Sequence, residues 1–271
     1  MGLNVICWNA HSISNKFNEL SILIDQLSID IILISESWLS EDSIFNIQGF
    51  SSYRSDRFRG GTAIFIRSSI PHNGFSKIQF NYAECCTISI FIDSKPLKIS
   101  SIYCSPSASR SQAKSFFEKV FSQPGPHVVG GDFNAKHIAW NNVSNDHKGV
   151  DLFDLFSHWN FKILPPSEPT LYPPTGCPSC VDFVVIKGCH FVDSIEVVND
   201  LSSDHLPILF QLSGACSNSS VSLNLKKTNW IKFCKIVDRR CIDLERELIL
   251  STVSIDSIEL EIQHSNQPLI S

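Results

Sequence analysis

An α/β domain built on two mixed β-sheets, packed face to face with helices outside, is the fold class this sequence predicts. Short apolar runs rich in Ile, Val and Phe alternate with amphipathic stretches, the rhythm of helix-covered sheets. The middle of the chain, with Arg67, Pro71 and the 82–103 region, reads instead as antiparallel hairpins, so the sheets are mixed and stack on each other. The 271 residues, 43% hydrophobic and 18% charged, suit one large domain plus a tail better than two equal domains.

The elements follow in order. Leu3–Asn9 reads as a strand, and with no basic stretch or long apolar segment at the N-terminus no signal peptide is expected there. Asn15–Leu27 sets Phe17, Leu20, Leu23, Ile24 and Leu27 at three- and four-residue steps, a helix with Ser14 as its N-cap. Ile31–Glu36, Thr62–Arg67, Cys86–Ile92 and Leu97–Cys104 are strands, and Ser109–Phe121 is a helix. His127–Asp132 is a strand, Val150–Trp159 a helix, and Val181–Lys187 and Pro207–Leu212 are the last strands. Around 213–222 the composition turns to Ser, Gly and Asn, a linker signature. The expected organisation is a domain over 1–213, a linker over 214–225 and a helical connector over 226–271. Within the connector, Trp230, Phe233, Ile236 and Val237 form one apolar stripe. There is no internal repeat.

No apolar run reaches the roughly 18 residues of a membrane span. The expectation is a soluble nuclear or cytoplasmic protein. Of the ten cysteines, Cys7, Cys104 and Cys180 lie in or beside apolar runs, where a thiol is a small hydrophobe. Their spacings form no disulfide framework. Cys177 and Cys180 make a C-x-x-C, but Cys189 with His190 is a poor second pair for structural zinc. Net charge is −5, and residues 221–271 carry seven basic and seven acidic side chains, so the deficit lies in the first 220. A site that collects carboxylates around a divalent cation produces that imbalance. Nucleic acid held by such a domain is engaged weakly and transiently, since bulk affinity comes from Lys and Arg on phosphates.

The polar residues fall where the strands stop. Asn9 ends the first, Glu36 the second, Tyr103 the hairpin's second strand; Asp132 and Asn134 follow His127–Gly131, and Asp204-His205 precedes the last. Ligands gather at strand ends, where loops present polar groups on a rigid base. This palette is that of a hard-cation hydrolytic site for a phosphodiester. Glu36 suits a Mg²⁺ ligand. Asp132 and His205 suit orienting and deprotonating water. Asn9, Asn134 and Tyr103 stabilise phosphate without adding negative charge. His205 needs a carboxylate to fix its tautomer, and Asp182 is the candidate, with Asp204 nearby in sequence. Taken singly, Glu36 reads as an exposed acid, Asp132 as a turn former and His205 as a loop residue. Taken together they do not.

At these residues the chain resembles the endonuclease/exonuclease/phosphatase superfamily, specifically the apurinic-type endonuclease of jockey-like non-LTR retrotransposons. The matching pieces are Cys7–Asn9, Ser35–Leu39, Arg59–Ile64, Ile102-Tyr103, Gly131–His137 with Trp140, Ser179–Phe183 and Ser202–Ile208. Single pieces are weak signals; the ordered set is strong. The resemblance implies a DNase I-like four-layer α/β sandwich and a DNA endonuclease whose nick leaves a 3′-hydroxyl to prime reverse transcription. It implies Mg²⁺ as cofactor, with Mn²⁺ able to substitute. Roles follow by match: Glu36 as metal ligand, with Asn9 and Asp204 at the metal site; Asn9, Tyr103 and Asn134 as phosphate organisers. Asp132 orients the nucleophilic water, and His205 paired with Asp182 is general base or phosphate stabiliser. His11 stands where repair-type relatives carry Asp, which counts against a second metal position. Such elements continue into a reverse transcriptase; none follows here, and the chain reads as a fragment of one.

Arg54, Arg57, Arg59 and Lys136 read as DNA contacts, although the three arginines fit a solvated charged turn equally well. Thr170 reads as part of a retroelement motif or as a turn former, and Trp140 and Trp159 read as core. Two other functions compete: a phosphatase of the same superfamily, disfavoured by the Lys136–Trp140 extension, and an inactive or domesticated remnant serving as an interaction domain.

Overall fold

The computed structural model describes residues 2–92, 95–188, 192 and 195–212; the 214–225 linker, the 226–271 connector, and Cys189 and His190 lie outside them. Among the described residues there are twelve strands: β1 (Leu3–Asn9), β2 (Ile31–Ser35), β3 (Phe50–Ser55), β4 (Thr62–Arg67), β5 (His72–Gln79), β6 (Ala83–Ile92), β7 (Lys95–Cys104), β8 (His127–Asp132), β9 (Lys162–Leu164), β10 (Asp182–Lys187), β11 (Ile195–Val197) and β12 (Ile208–Leu212). The α-helices are α1 (Phe17–Gln26), α2 (Arg110–Phe121) and α3 (His147–Trp159). The strands make two six-stranded sheets, ordered β11-β12-β1-β2-β4-β3 and β5-β6-β7-β8-β10-β9. Only β1/β2 and β7/β8 pair in parallel, and every other neighbouring pair is antiparallel. Both sheets are therefore mixed.

Strand alternation produces the layers. In β1, Val5 and Cys7 face the second sheet, while Ile6 and Trp8 face outward. Three apolar clusters result. One lies between the sheets, with Leu33, Ile64, Ile88, Ile99, Val128 and Val184. A second joins α1, through Leu20, Leu23 and Ile24, to the outer face of the first sheet. The third seats Phe116, Phe117 and Phe121 of α2 and Leu152 and Phe156 of α3 on the second. Helix, sheet, sheet and helices make four layers, as expected.

The helix starts show local chemistry at work. Ser109 and Gln112 form a capping box on α2. The third helix begins at His147, three residues before the expected Val150, because the Asp146 side chain accepts from the Gly149 amide. The Ser14 cap is not realised; Lys16 occupies the N-cap position of α1 and no side chain caps it. Cys7, Cys104 and Cys180 are buried free thiols, and Trp140 is fully buried while Trp159 is half-buried. Among the described residues, no helix is long and apolar enough to cross a membrane.

Glycine brings the sheets together at β8. A Cβ on Gly130 would lie 3.1 Å from Leu33 of the facing sheet and 3.4 Å from the Cys7 sulfur. Gly131 has φ +146°, and a Cβ there would collide with the Ile102 carbonyl.

Candidate active site

The inter-sheet core and the site are two parts of one strand pattern. Glu84, Tyr103, Asp132 and Asp182 are register partners across β6, β7, β8 and β10. They share the inner face with Cys86, Ile99, Val128 and Val184. On the facing sheet, Asn9, Ser35, Thr62 and Ser55 are likewise partners across β1, β2, β4 and β3. The last inward position of each strand is thus polar, where the apolar seam reaches its mouth.

Ser35 ties the two rows together. Its hydroxyl donates to the Ile102 carbonyl at 2.8 Å and accepts from the Asp132 amide at 3.3 Å. Beyond it the chain turns sharply. Glu36, Trp38, His11 and Asn134 all have positive φ, a costly conformation for non-glycine residues that recurs at functional sites. The turn aims Glu36 back at β1, and Trp38 Nε1 holds its carboxylate at 3.1 Å.

Asn9 is the hub. Its Nδ2 lies 2.9 Å from Glu36 Oε1, 2.9 Å from Asp132 Oδ2 and 3.5 Å from His205 Nε2. Asn134 donates twice to Asp132, from its backbone amide at 2.8 Å and from Nδ2 at 2.7 Å. The other imidazole nitrogen, His205 Nδ1, is 2.7 Å from Asp182 Oδ2. Thr170 fixes that carboxylate, donating to Asp182 Oδ2 at 2.8 Å and accepting from the Asp182 amide at 3.2 Å. Its loop is anchored at His205 as well, since Leu171 bridges to both Ser179 and His205. Trp8 Nε1 donates to the His205 carbonyl at 3.1 Å. Asn9, Tyr103, Asp132, Asp182 and His205 are all buried, whereas Glu36 and Asn134 are half-buried at the opening.

Gathering carboxylates in a buried mouth perturbs them. Burial, then the charges of Asp182 and Glu36, push the Asp132 carboxyl up, against the opposing pull of His205 and the Asn134 amide. Burial disfavours a charged His205, but Asp182, its hydrogen bond, Asp132 and Asp204 together outweigh it and raise the imidazole to about 10. Burial and the neighbouring Glu36 and Asp132 push the Tyr103 phenol up, so it stays protonated beside them. Negative charge is in excess over the single imidazolium, the imbalance a cation relieves. Carboxylate oxygens suit a hard divalent ion, and Glu36 at the opening offers them, with Asn9 Nδ2 2.9 Å from its Oε1 and from Asp132 Oδ2. The ligand atoms of Asp132, Asp182 and His205 also lie within 4.8 Å of one another, but a charged His205 donates protons and binds no metal.

Not every expected residue joins the cluster. Glu36 lies outside that group of three and reaches it through Asn9. Asp204 faces away, with Oδ1 at 3.2 Å from His11 Nδ1. His11 packs edge-on against Trp38, 4.7 Å between centroids. These residues, with Lys16, Pro174 and Ser202, line a depression of about 560 Å³ beside the cluster. Arg54 is occupied within the protein, bonding Ser43 O, Ser40 O and Asp56. Arg57 pairs with Glu84. Arg59 is exposed and lies over Phe58, and Lys136 is half-buried in the loop after Asn134. Among the described residues, neither Cys177 nor Cys180 joins a metal-ligating group.

Sequence reasoning left Ser35, Trp38 and Glu84 without roles. Ser35 and Trp38 flank Glu36 in a quoted motif, and that adjacency was the available signal. Glu84 carries no local signal, because only the β6–β7 register brings it beside Tyr103.

Residues 97–209 match the family model described as endonuclease-reverse transcriptase. Among curated proteins, the chain is 29% identical to the probable RNA-directed DNA polymerase from transposon BS of Drosophila melanogaster, over 97% of this chain and 30% of that one. It is 30% identical to the RNA-directed DNA polymerase from mobile element jockey of Drosophila funebris, over 76% of this chain and 23% of that one. The chain thus spans under a third of these relatives. Among solved structures, the endonuclease domain of TRAS1, a telomere-specific non-LTR retrotransposon, superposes with a TM-score of 0.64 at 20% identity, covering 78% of this chain and 98% of that one. A 3′-5′ exonuclease from Neisseria meningitidis superposes with a TM-score of 0.62 at 14% identity, covering 78% and 100%. Both likenesses concern the fold.

Proposed function

We propose that this chain, whose residues 97–209 match the endonuclease-reverse transcriptase family model, is a Mg²⁺-dependent endonuclease that nicks DNA and leaves a 3′-hydroxyl. The observation that carries this reading is the single cluster of Asn9, Glu36, Asp132, Asn134, Asp182 and His205, drawn from positions spread over two hundred residues.

Glu36 offers the oxygens that would hold the ion, steadied by Asn9, which lies between it and Asp132. When bound, Mg²⁺ supplies positive charge to the phosphate oxygens and leaving group. Asp132, fixed by two Asn134 donors, orients the attacking water and takes its proton. His205 stays charged beside Asp182 and donates from Nε2 to a phosphate oxygen. Tyr103 and Asn134 complete the set of donors around the phosphate. Asp204 supports the opening from its pairing with His11. Arg59 and Lys136 contact flanking phosphates, and the depression lined by His11 and Trp38 receives DNA next to the cut.

The test is nicking of supercoiled plasmid. We expect relaxed circles with Mg²⁺, none with EDTA, and losses of about 10³-fold or more in Asp132→Ala and in His205→Ala. Nicking that survives in either variant overturns the assignment of roles, and a folded wild type that never nicks overturns the nuclease reading.

A further inference from the structure

The row of inner-face polar residues extends one strand beyond the cluster. Glu84 of β6 is the register partner of Tyr103 and is completely buried. A buried carboxylate needs a partner, and Arg57 supplies it: Nε bonds Glu84 Oε1, and Nη2 lies 3.4 Å from Oε2. Nη1 donates to the Asn81 carbonyl at 3.0 Å, which fixes the fork from a third side. The guanidinium is held over the Tyr103 ring, 5.8 Å from its centroid. A Cβ on Gly60 would collide with that guanidinium, so the glycine lets the loop fold down onto it. Gly61, at φ +87°, then returns the chain into β4, where its carbonyl accepts from the Ser37 amide next to Glu36. The Arg59-Gly60-Gly61 motif thereby acquires a physical purpose. It packs a loop over one arginine.

We infer that Arg57, anchored by Glu84, is a positioning residue that sets the Tyr103 phenol against Glu36. Contacts run from Glu84 through Arg57 to Tyr103, across β6, the 56–61 loop and β7, and Tyr103 is the register partner of Asp132, beside the Glu36 carboxylate. Arg57 acts through Tyr103, and its donors are taken up by Glu84 and Asn81 more than by DNA. This rests on the nuclease reading for its catalytic consequence, while the placement of Tyr103 stands apart from it.

Arg57→Gln alone would strand a buried charge, so the variant of choice is Arg57→Gln with Glu84→Gln, which removes both charges, leaves two amides that can pair, and takes the guanidinium off the Tyr103 ring. Arg57→Lys is the second variant, keeping charge without the fork. In the full chain we expect the Arg57/Glu84 variant to lower the nicking kcat about 10- to 100-fold with little change in KM. In a Tyr103→Phe background the same change costs almost nothing further. Equal losses in both backgrounds overturn the inference, as does a loss confined to KM. A readout free of activity separates its failure from that of the nuclease reading. The chain has four tyrosines, so ring-labelled tyrosine allows NMR assignment of Tyr103 by its absence in Tyr103→Phe. The Tyr103 signal shifts in the Arg57/Glu84 variant and in Arg57→Lys; a signal unmoved in both overturns the inference, whether or not the wild type nicks.

Discussion

At the scale of single residues, the site depends as much on what holds each reacting group as on the group itself. Thr170 is the clearest case. A hydroxyl that donates to Asp182 and accepts from the Val181 and Asp182 amides leaves that carboxylate one orientation, facing His205. Thr170→Val keeps the shape and removes all three bonds. Nicking should slow about 10- to 100-fold, with stability lower by about 1 to 3 kcal/mol for the unpaired groups. Single-turnover kinetics alongside thermal melts checks both, and a variant as fast as wild type would show that Asp182 needs no such support. Such residues are hard to read from sequence. Asp132 and His205 announce themselves by chemistry and by their place at strand ends. Thr170, Ser35 and Glu84 are ordinary until the register puts them beside something reactive.

At the scale of elements, the eight expected strands all form, and three of them, β1, β4 and β8, have the expected bounds. Four strands had no counterpart in the apolar pattern: β3, β5, β9 and β11. They are the four edges of the two sheets. An edge strand packs less of its surface, so Phe50–Ser55 and His72–Gln79 are half-polar and Ile195–Val197 is short; apolar periodicity cannot find them. Central strands, covered on both faces, are continuous apolar runs. The far end of β8 carries a second consequence. His127 is fully buried, with Nε2 2.7 Å from Ser100 Oγ and Nδ1 without a partner among the described residues. Burial, then Lys98 and Lys187, push its pKa down to about 3. The unfolded chain takes up a proton below about pH 6.5 that the folded chain refuses until about pH 3, so acid favours unfolding. The contribution of His127 to stability is complete above pH 7 and falls by about 1.4 kcal/mol per pH unit from 6.5 downward. Urea unfolding at pH 7 and pH 5 should therefore cost the wild type about 2 kcal/mol more than His127→Gln. Parallel losses in the two proteins would place the acid sensitivity elsewhere.

For the whole molecule, folding is what forces the carboxylates together, since Glu36 comes from one sheet and Asp132 and Asp182 from the other. A cation that binds only the assembled mouth stabilises it by mass action, about 2.7 kcal/mol at a hundredfold excess over Kd. Mg²⁺ should raise the melting midpoint, EDTA should reverse the rise, and Glu36→Gln should abolish it; a midpoint indifferent to Mg²⁺ in the wild type would mean that the mouth holds no such ion. The seam has one more implication, for how the protein is made. The strand that follows His205, β12, lies between β11 and β1, so β1, already paired with β2 on one side, keeps its other edge open until the last described strand has been made. A nascent chain that has not reached residue 205 holds Asn9, Glu36 and Asp132 yet lacks the imidazole that completes them. On the proposed nuclease function, a domain still in synthesis is expected to cut nothing until that final strand has been made and paired.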